Sequence, residues 1–514
     1  MQSIDWVATT IFVALFLFIT WLGFWAARWR RGDLDQLHEW GLGGRRFGTL
    51  ITWFLVGGDL YTAYTFIAVP ALAFGAGAVA FYAVPYTILI YPILFLVFPR
   101  LWAVCKKHGY ITAGDFVRGR FGNRWLALAI SLTGIVATLP YIALQLVGIQ
   151  VVVGGLGIGG GGGLIGDLPL LVAFLILAAF TYSSGLRAPA SIAVVKDILI
   201  YFTAIVAVIV IPTQLGGFGK IFAALPTAKV LLATPPANSW GSFSAYATLA
   251  LGSALALFLY PHSLTGILSA SSGGAIRRNA ALLPGYSFVL GLLTLLGLFA
   301  LAAGVATMPQ FAQGFKQYGA SFAVPALFIH SFPSWFVGIA FAAIGVGALV
   351  PAAIMSIAAA NLYTRNIYRE FVNKNATDKQ EAKMAKLVSL IVKVGALAFI
   401  LFLSPQYAVE LQLLGGVWII QTLPAVLLGV FTRKLNDWAL LVGWAIGMGV
   451  GTWMAFSANL SSTFPLSIGG FGLPGYAAFY ALILNLVVTI VLTPVFNAMS
   501  KKVVFDETVA ADYH

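Results

Sequence analysis

Long apolar runs separated by short polar loops fill most of this chain. Many exceed about 18 residues, enough for a helix to cross a bilayer, and together they predict thirteen membrane helices with no soluble domain. Numbered 0 to 12, the spans lie near residues 5–27, 47–70, 76–99, 125–153, 168–184, 189–213, 242–269, 281–305, 333–363, 387–405, 407–431, 437–458 and 474–497. Two of them are interrupted. Span 1 carries Gly57-Gly58-Asp59-Leu60-Tyr61-Thr62, and span 6 carries Leu251-Gly252-Ser253 running on to Tyr260-Pro261-His262. A break frees backbone groups that lipid cannot satisfy, so it persists only where it faces a cavity or a ligand. Interruptions at corresponding places in two halves point to the midplane site of a secondary transporter. The breaks divide the chain into a leading span (1–27), two five-span halves (46–213 and 241–431), two further spans (437–498) and a tail (499–514). The unwound point of span 6 is expected at Gly252-Ser253.

Composition agrees with a membrane protein, since 514 residues that are 60 % apolar and 9 % charged cannot bury that surface within a water-soluble shell. The net charge of +13 is set by location rather than by a nucleic-acid partner. Lys and Arg crowd into alternate loops: 28–46, 100–124, the turn at Arg187, Arg277-Arg278, 365–386, Arg433-Lys434 and the tail from Lys501. The opposite loops hold only Lys220, Lys229 and Lys316. By the positive-inside rule the N-terminus is outside and the C-terminus cytoplasmic. The first run ends in Arg28, Arg30 and Arg31 and is too long for a signal peptide, so it reads as a retained span. The glycine tract 154–166 reads as a flexible outer connection, because no Gly-Lys-Ser/Thr follows to hold phosphate. The tail 503–514 is expected to be disordered. A lone cysteine, Cys105, excludes a disulfide framework. The scattered histidines 38, 108, 262, 330 and 514 offer no enzyme centre, and a channel's repeated rings of one residue type are missing.

Several motifs together resemble the sodium:solute symporter family. These are Gly43-Gly44-Arg45-Arg46-Phe47-Gly48 before span 1 and Gly109-Tyr110-Ile111-Thr112-Ala113-Gly114-Asp115-Phe116 with Arg120-Phe121-Gly122 after span 2. Tyr141-Ile142-Ala143-Leu144-Gln145 lies in span 3, Tyr260-Pro261-His262 in span 6, and Ala353-Ile354-Met355-Ser356 followed by Thr364-Arg365-Asn366 in and after span 8. Within that family, residues 57–65, Gly185-Leu186-Arg187-Ala188-Pro189 and Val195-Lys196-Asp197 are similar to the bacterial monocarboxylate uptake permeases. The resemblance implies an all-α integral membrane protein, a leucine-transporter-type 5+5 inverted repeat bundle. It implies lactate, pyruvate, short-chain acids and alanine as the substrate class.

Ionisable groups at bilayer depth are costly and mark function by default. Asp59, Lys196, Asp197, Lys393 and Glu410 qualify. Backbone N–H groups freed in span 1 suit a small carboxylate. The expected substrate set is therefore Gly58, Asp59, Tyr61, Thr62, Tyr64 and Thr65, with Tyr141, Gln145 and Ser253. Asp59 would repel that carboxylate when ionised, so it points away, is protonated, or caps the broken helix. The family's sodium site implies carbonyls of Gly57, Leu60 and Ala353 with hydroxyls at two consecutive positions of span 8. Ser356 supplies the first hydroxyl, but Ile357 stands at the second. Asp197 matches the family pattern, whereas Lys196 replaces a hydroxyl residue. Either Lys196 acts as a built-in cation in place of sodium or it snorkels to the interface; the first reading is preferred. Adjacent on a helix, Lys196 and Asp197 are not expected to pair face to face. Lys393 and Glu410 are expected at the interfaces, Gln412 and Gln421 at the cavity, and His262 in a structural role.

The chain thus reads as an importer of small monocarboxylates in a bacterial cytoplasmic (inner) membrane, coupled to protons. The alternative is sodium-coupled uptake of a neutral amino acid or other small solute. No cofactor, metal, nucleic acid or obligate protein partner is expected; the partners are a small organic acid and the lipid bilayer.

Overall fold

The computed structural model of the protein describes residues 4–29, 32–158, 168–402, 408–499 and 505–514. Arg30, Arg31, most of the glycine tract and the start of the tail at Lys501 lie outside the described residues. The main helices are α1 (Trp6–Trp25), α2 (Thr49–Gly58), α3 (Val69–Ala76), α4 (Phe98–His108), α5 (Ala113–Phe121), α6 (Arg124–Gly155), α7 (Leu168–Ser184) and α8 (Arg187–Gln214). They continue as α9 (Gly241–Leu257), α10 (Pro261–Leu268), α11 (Pro284–Ala302), α12 (Ser334–Tyr363), α13 (Asp378–Phe402), α14 (Ala408–Ile419), α15 (Asp437–Ser457) and α16 (Ala477–Met499). Among the described residues, nine helices are long and apolar enough to cross a bilayer, or ten if α9 and α10, bent by 48°, form one span. The expected thirteen include segments that fall short of that standard for local reasons. Span 1 is split into halves, and α7 has only 17 residues.

The helices are not distributed evenly between lipid and core. α12 is almost wholly buried, packed by α6, α1, α8, α13 and α10. α1 and α16, in contrast, expose Trp6, Leu17, Trp21, Ile490 and Val491, as helices that face acyl chains should. Side chains fasten the basic end of the bundle. Arg45 donates to the carbonyls of Leu268 (3.1 Å) and Cys105 (3.2 Å). Asn366 donates to Asp115 (2.9 Å) and accepts from Thr112 (2.8 Å). Arg187 and Arg46 both grip the buried Glu39. The motifs that carry the resemblance therefore join spans 1, 2, 6 and 8 at one end of the molecule.

Two features depart from the reading of the sequence. The fold is not purely helical, because Thr463–Ile468 (β1) and Phe471–Tyr476 (β2) pair antiparallel between α15 and α16. Gly469 and Gly470 both have positive φ (+59° and +85°), which suits the two-residue turn whose twist matches the strands. The hairpin caps α9, with Ser244 donating to the Pro474 carbonyl at 2.7 Å. The tail, expected to be disordered, is docked over 505–514. Asp506 pairs with Arg120, Tyr110 donates to Glu507 (3.0 Å), and Lys107 (2.5 Å) and His108 (2.8 Å) hold Asp512. Its short charged sequence finds a matching set of opposite charges on α4 and α5, which no local pattern reveals.

Candidate functional site

The chain leaves helical geometry where α2 ends. Gly57 and Gly58 allow close approach there: a Cβ on Gly57 would lie 2.4 Å from the ring of Tyr286, and one on Gly58 would lie 2.9 Å from Lys196 Nζ. Helix resumes as a π-helical turn over Tyr64–Ala68 and then as α3. Between these pieces the freed carbonyls of Gly58 and Tyr61 accept from Lys196 Nζ, the second at 2.9 Å. The Gly57 carbonyl accepts from Leu60 N within the turn (2.9 Å). The ammonium therefore sits one residue further along than the Gly57 and Leu60 carbonyls named for a cation. Lys196 and Asp197 do pair, contrary to the expectation from their adjacency, with Nζ 2.9 Å from Oδ1. That contact is an ion-pair approach without hydrogen-bond alignment; the long lysine chain curls back over its neighbour toward the break. Tyr286 donates to Asp197 Oδ2 at 2.6 Å, and both charged side chains are fully buried.

The freed N–H groups lie just beyond. Thr62 N donates to Thr65 Oγ1 (3.0 Å), Ala63 N to Gln145 Oε1 (3.0 Å) and Tyr64 N to Thr62 Oγ1 (2.9 Å). Three consecutive donors are thus each taken by a different neutral side-chain oxygen, a weaker acceptor than a carboxylate. Tyr64 and Tyr82 share a hydroxyl contact (2.8 Å), and Tyr61 donates to the Tyr286 carbonyl (2.9 Å). Residues 61–65, Tyr141, Gln145 and Ser253 are all buried, so the break is closed to both sides here.

The second break falls further along than expected. α9 runs unbroken through Gly252 and Ser253, and helix stops only at Phe258–Tyr260 before α10 starts on Pro261. Proline has no N–H to give and is pre-set for the first helical turn, whereas Gly252 serves packing: a Cβ there would lie 2.6 Å from the ring of Tyr476. Ser253 is buried on α9, its Oγ without a partner among the described residues. The half-helix α10 brings two residues to Asp59. Ser263 donates to its Oδ2 at 2.6 Å, and His262 Nε2 lies 3.5 Å from the same oxygen. Tyr141 packs edge-on to His262, ring centroids 5.3 Å apart. Asp59 therefore bridges the two broken helices. Sequence reasoning missed Ser263, which directly follows Tyr260-Pro261-His262, and Tyr82 and Tyr286, which lie in no quoted motif.

On α12, Ser356 donates to the Ala353 carbonyl (2.8 Å) and accepts from Ser389 of α13 (3.2 Å), while Ile357 is fully buried beside it. Lys393, expected at an interface, is buried and donates to Ser389 Oγ at 2.9 Å. Glu410 accepts from Ser462 N (2.7 Å) next to the hairpin. Gln421 turns to Asn485 of α16, which donates to its carbonyl and side-chain oxygens (3.0 and 3.2 Å). The loss of the cavity position has a simple cause: the Gln421 amide itself donates to the carbonyls of Val417 (3.2 Å) and Ala478 (3.5 Å), so both its ends are used between packed helices. Among the described residues no group of three or more His, Cys, Asp and Glu is arranged to hold a metal ion.

The sodium:solute symporter family model matches residues 40–447. The chain belongs to the sodium:solute symporter family. It is 50 % identical over 498 residues to a monocarboxylate transport permease protein of Rhizobium johnstonii, covering 96 % of this chain and 98 % of that one. It is 32 % identical over 501 residues to an uncharacterized symporter, YodF, of Bacillus subtilis (97 % and 95 % covered). In three dimensions it is similar to a Na+-coupled sialic acid symporter solved in a substrate-bound outward-open state, with a TM-score of 0.75 at 15 % identity over 96 % of this chain and 99 % of that one. It is also similar to MHP1, a nucleobase-cation-symport-1 family transporter solved in a closed conformation, with a TM-score of 0.54 at 12 % identity (94 % and 98 % covered). The fold is thus that of leucine-transporter-like carriers, and the protein is a multi-pass membrane transporter rather than an enzyme.

Proposed function

We propose that this symporter imports small monocarboxylates such as lactate and pyruvate across a bacterial cytoplasmic membrane, and that protons rather than sodium drive uptake. The carrying observation is the Lys196 ammonium on the Gly58 and Tyr61 carbonyls, beside Asp197. A sodium ion there would need those oxygens for its own shell and would meet a like charge a few ångströms away. Ser356, the hydroxyl retained on α12, is already engaged with Ser389 and Ala353. Proton exchange at the Lys196–Asp197 pair would let the cation come and go with the transport cycle.

The substrate reading rests on the three N–H donors of residues 62–64 and on the 50 % identical relative described as a monocarboxylate permease. A carboxylate would take these donors from Thr65, Gln145 and Thr62. Asp59 turns to the other broken helix, where its Oδ2 accepts from Ser263. Coupling is needed because an anion entering a negative interior works against about 2.3 kcal/mol per 100 mV, which one proton cancels.

The test is uptake of labelled pyruvate, lactate and alanine into vesicles bearing the purified protein, at fixed pH with sodium present or replaced by choline. A pH gradient is then imposed without sodium. Saturable uptake of pyruvate or lactate that follows the pH gradient and ignores sodium is the expected result. A strong, saturable sodium requirement would instead favour sodium-coupled uptake of a neutral solute.

A further inference from the structure

A recess of 380 Å³ opens between α7 and α13, away from the broken helices. Ala178, Ala179 and Tyr182 of α7 face Lys386, Ser389 and Lys393 of α13 across it. Its outer surroundings are hydrocarbon: Leu390, Ile391 and Val394 are 40 %, 58 % and 53 % exposed, as side chains against lipid tails would be. Its inner wall is cationic. Lys393 is 1 % exposed, and its ammonium turns back one helical turn to Ser389, 2.9 Å from Oγ and 3.5 Å from the carbonyl. Among the described residues no carboxylate lies within ion-pair distance of Lys393. Lys386, with 15 % of its side chain exposed, lies 3.9 Å from the half-exposed Asp35 and 5.9 Å from the ring centre of Tyr182. The acidic group nearest in sequence, Glu381, is taken up by Arg365 and Arg369.

A buried ammonium without a counter-ion is expensive at bilayer depth. Here it sits in a recess with a second ammonium at the rim, a hydroxyl beside it and apolar walls on the lipid side. The turned-back chain lifts the Lys393 ammonium to the level of Ser389, three residues from Lys386, about 4.5 Å along the axis. An ordinary soluble anion would gain the charges but not the hydrocarbon surround, whereas a phospholipid brings a phosphate and two acyl chains together. We propose that this recess binds an anionic phospholipid, its phosphate between Lys386, Lys393 and Ser389 and its chains along Leu390, Ile391 and Val394, in the leaflet at the basic end of the bundle. Basic pockets between membrane helices recognise acidic headgroups in this way. The Ser389–Ser356 hydrogen bond (3.2 Å) ties the site to α12, so an occupied headgroup steadies the helix that packs beside the break. None of this depends on which solute is carried.

The test is native mass spectrometry of the purified full-length protein with phosphatidylglycerol, with phosphatidylcholine, and with inorganic phosphate added as competitor. Wild-type protein is expected to retain phosphatidylglycerol in preference to phosphatidylcholine and to keep it against millimolar phosphate. Each of Lys386→Gln and Lys393→Gln should weaken retention about fivefold, and Lys393→Arg should preserve it. Lys386 lies at the rim, so its variant decides the matter even if Lys393→Gln fails to fold. Equal retention of the two lipids, unchanged retention in Lys386→Gln, or displacement of phosphatidylglycerol by inorganic phosphate would each overturn the assignment.

Discussion

Lys196 is the residue on which the coupling reading turns, and its removal has separable consequences. Lys196→Ala leaves the Gly58 and Tyr61 carbonyls and the Asp197 carboxylate buried without their cation, so melting temperature should fall; breaking a buried pair costs about 3–5 kcal/mol. Asp197→Asn added to it should restore part of that loss. If Lys196 carries the coupled charge, the single variant should lose accumulation by about fiftyfold at 100 mV yet keep pyruvate–pyruvate exchange, which moves no net charge. Counterflow and net uptake in the same vesicles distinguish these, and equal loss of both would refute the coupling role. At the donors, Thr62→Val removes the oxygen that takes Tyr64 N. Because a carboxylate has to displace that oxygen, the variant should tighten lactate binding by roughly fivefold to tenfold, the worth of one hydrogen bond. Unchanged affinity by calorimetry would remove residues 62–64 from the substrate site.

Between elements, the two broken helices hold each other through Asp59, and the tail holds the basic end. Ser263→Ala takes away the 2.6 Å bond to Asp59, and a hydrogen bond to a charged group is worth about 1.5–3 kcal/mol. The melting temperature should therefore drop, whereas replacing an exposed serine such as Ser467 should leave it unchanged. The tail offers a pH dependence with a definite sign. Hydrogen bonds from Lys107, Val509 N and His108 hold the Asp512 carboxyl well below its usual range. A carboxylate lowered by docking contributes above its free pKa, about 3.9, and that contribution disappears as pH falls through the lowered value. Protection of the amides over 505–514, taken relative to their intrinsic exchange rate at each pH, should accordingly hold from neutral pH to about pH 4 and fall below it. Lys107→Ala should lower it at neutral pH as well, and undiminished protection in that variant would contradict the docking argument.

For the whole molecule the decisive question is orientation, since the basic loops and the docked tail share one end. A cysteine at Lys379 should resist a membrane-impermeant thiol reagent in intact cells, and one at Lys316 should react. The reverse pattern would overturn an outside N-terminus and a cytoplasmic C-terminus. The background is low because Cys105, the single native cysteine, is buried.

Much of this architecture was legible in one dimension, because bilayer thickness dictates helix length. Apolar run length marked the helices, and Gly57-Gly58 marked the first break through the lack of a side chain. Gly469-Gly470 between apolar residues also encoded a hairpin turn, although the surrounding membrane pattern masked it. The sequence could also say that Lys196 and Asp197 lie at membrane depth. It could not say that they meet, because reach and curvature of a long side chain depend on what the opposite helix presents. The same holds for the second break, where a glycine-serine pair competed with a proline and packing against Tyr476 decided for the proline. Partners such as Ser263 for Asp59, Tyr286 for Asp197 and Arg120 for Asp506 are separated by up to hundreds of residues. Sequence by itself determined which segments enter the membrane and which residues carry charge there; only the tertiary structure decided which charges are paired, because pairing is set by distance through space and not along the chain.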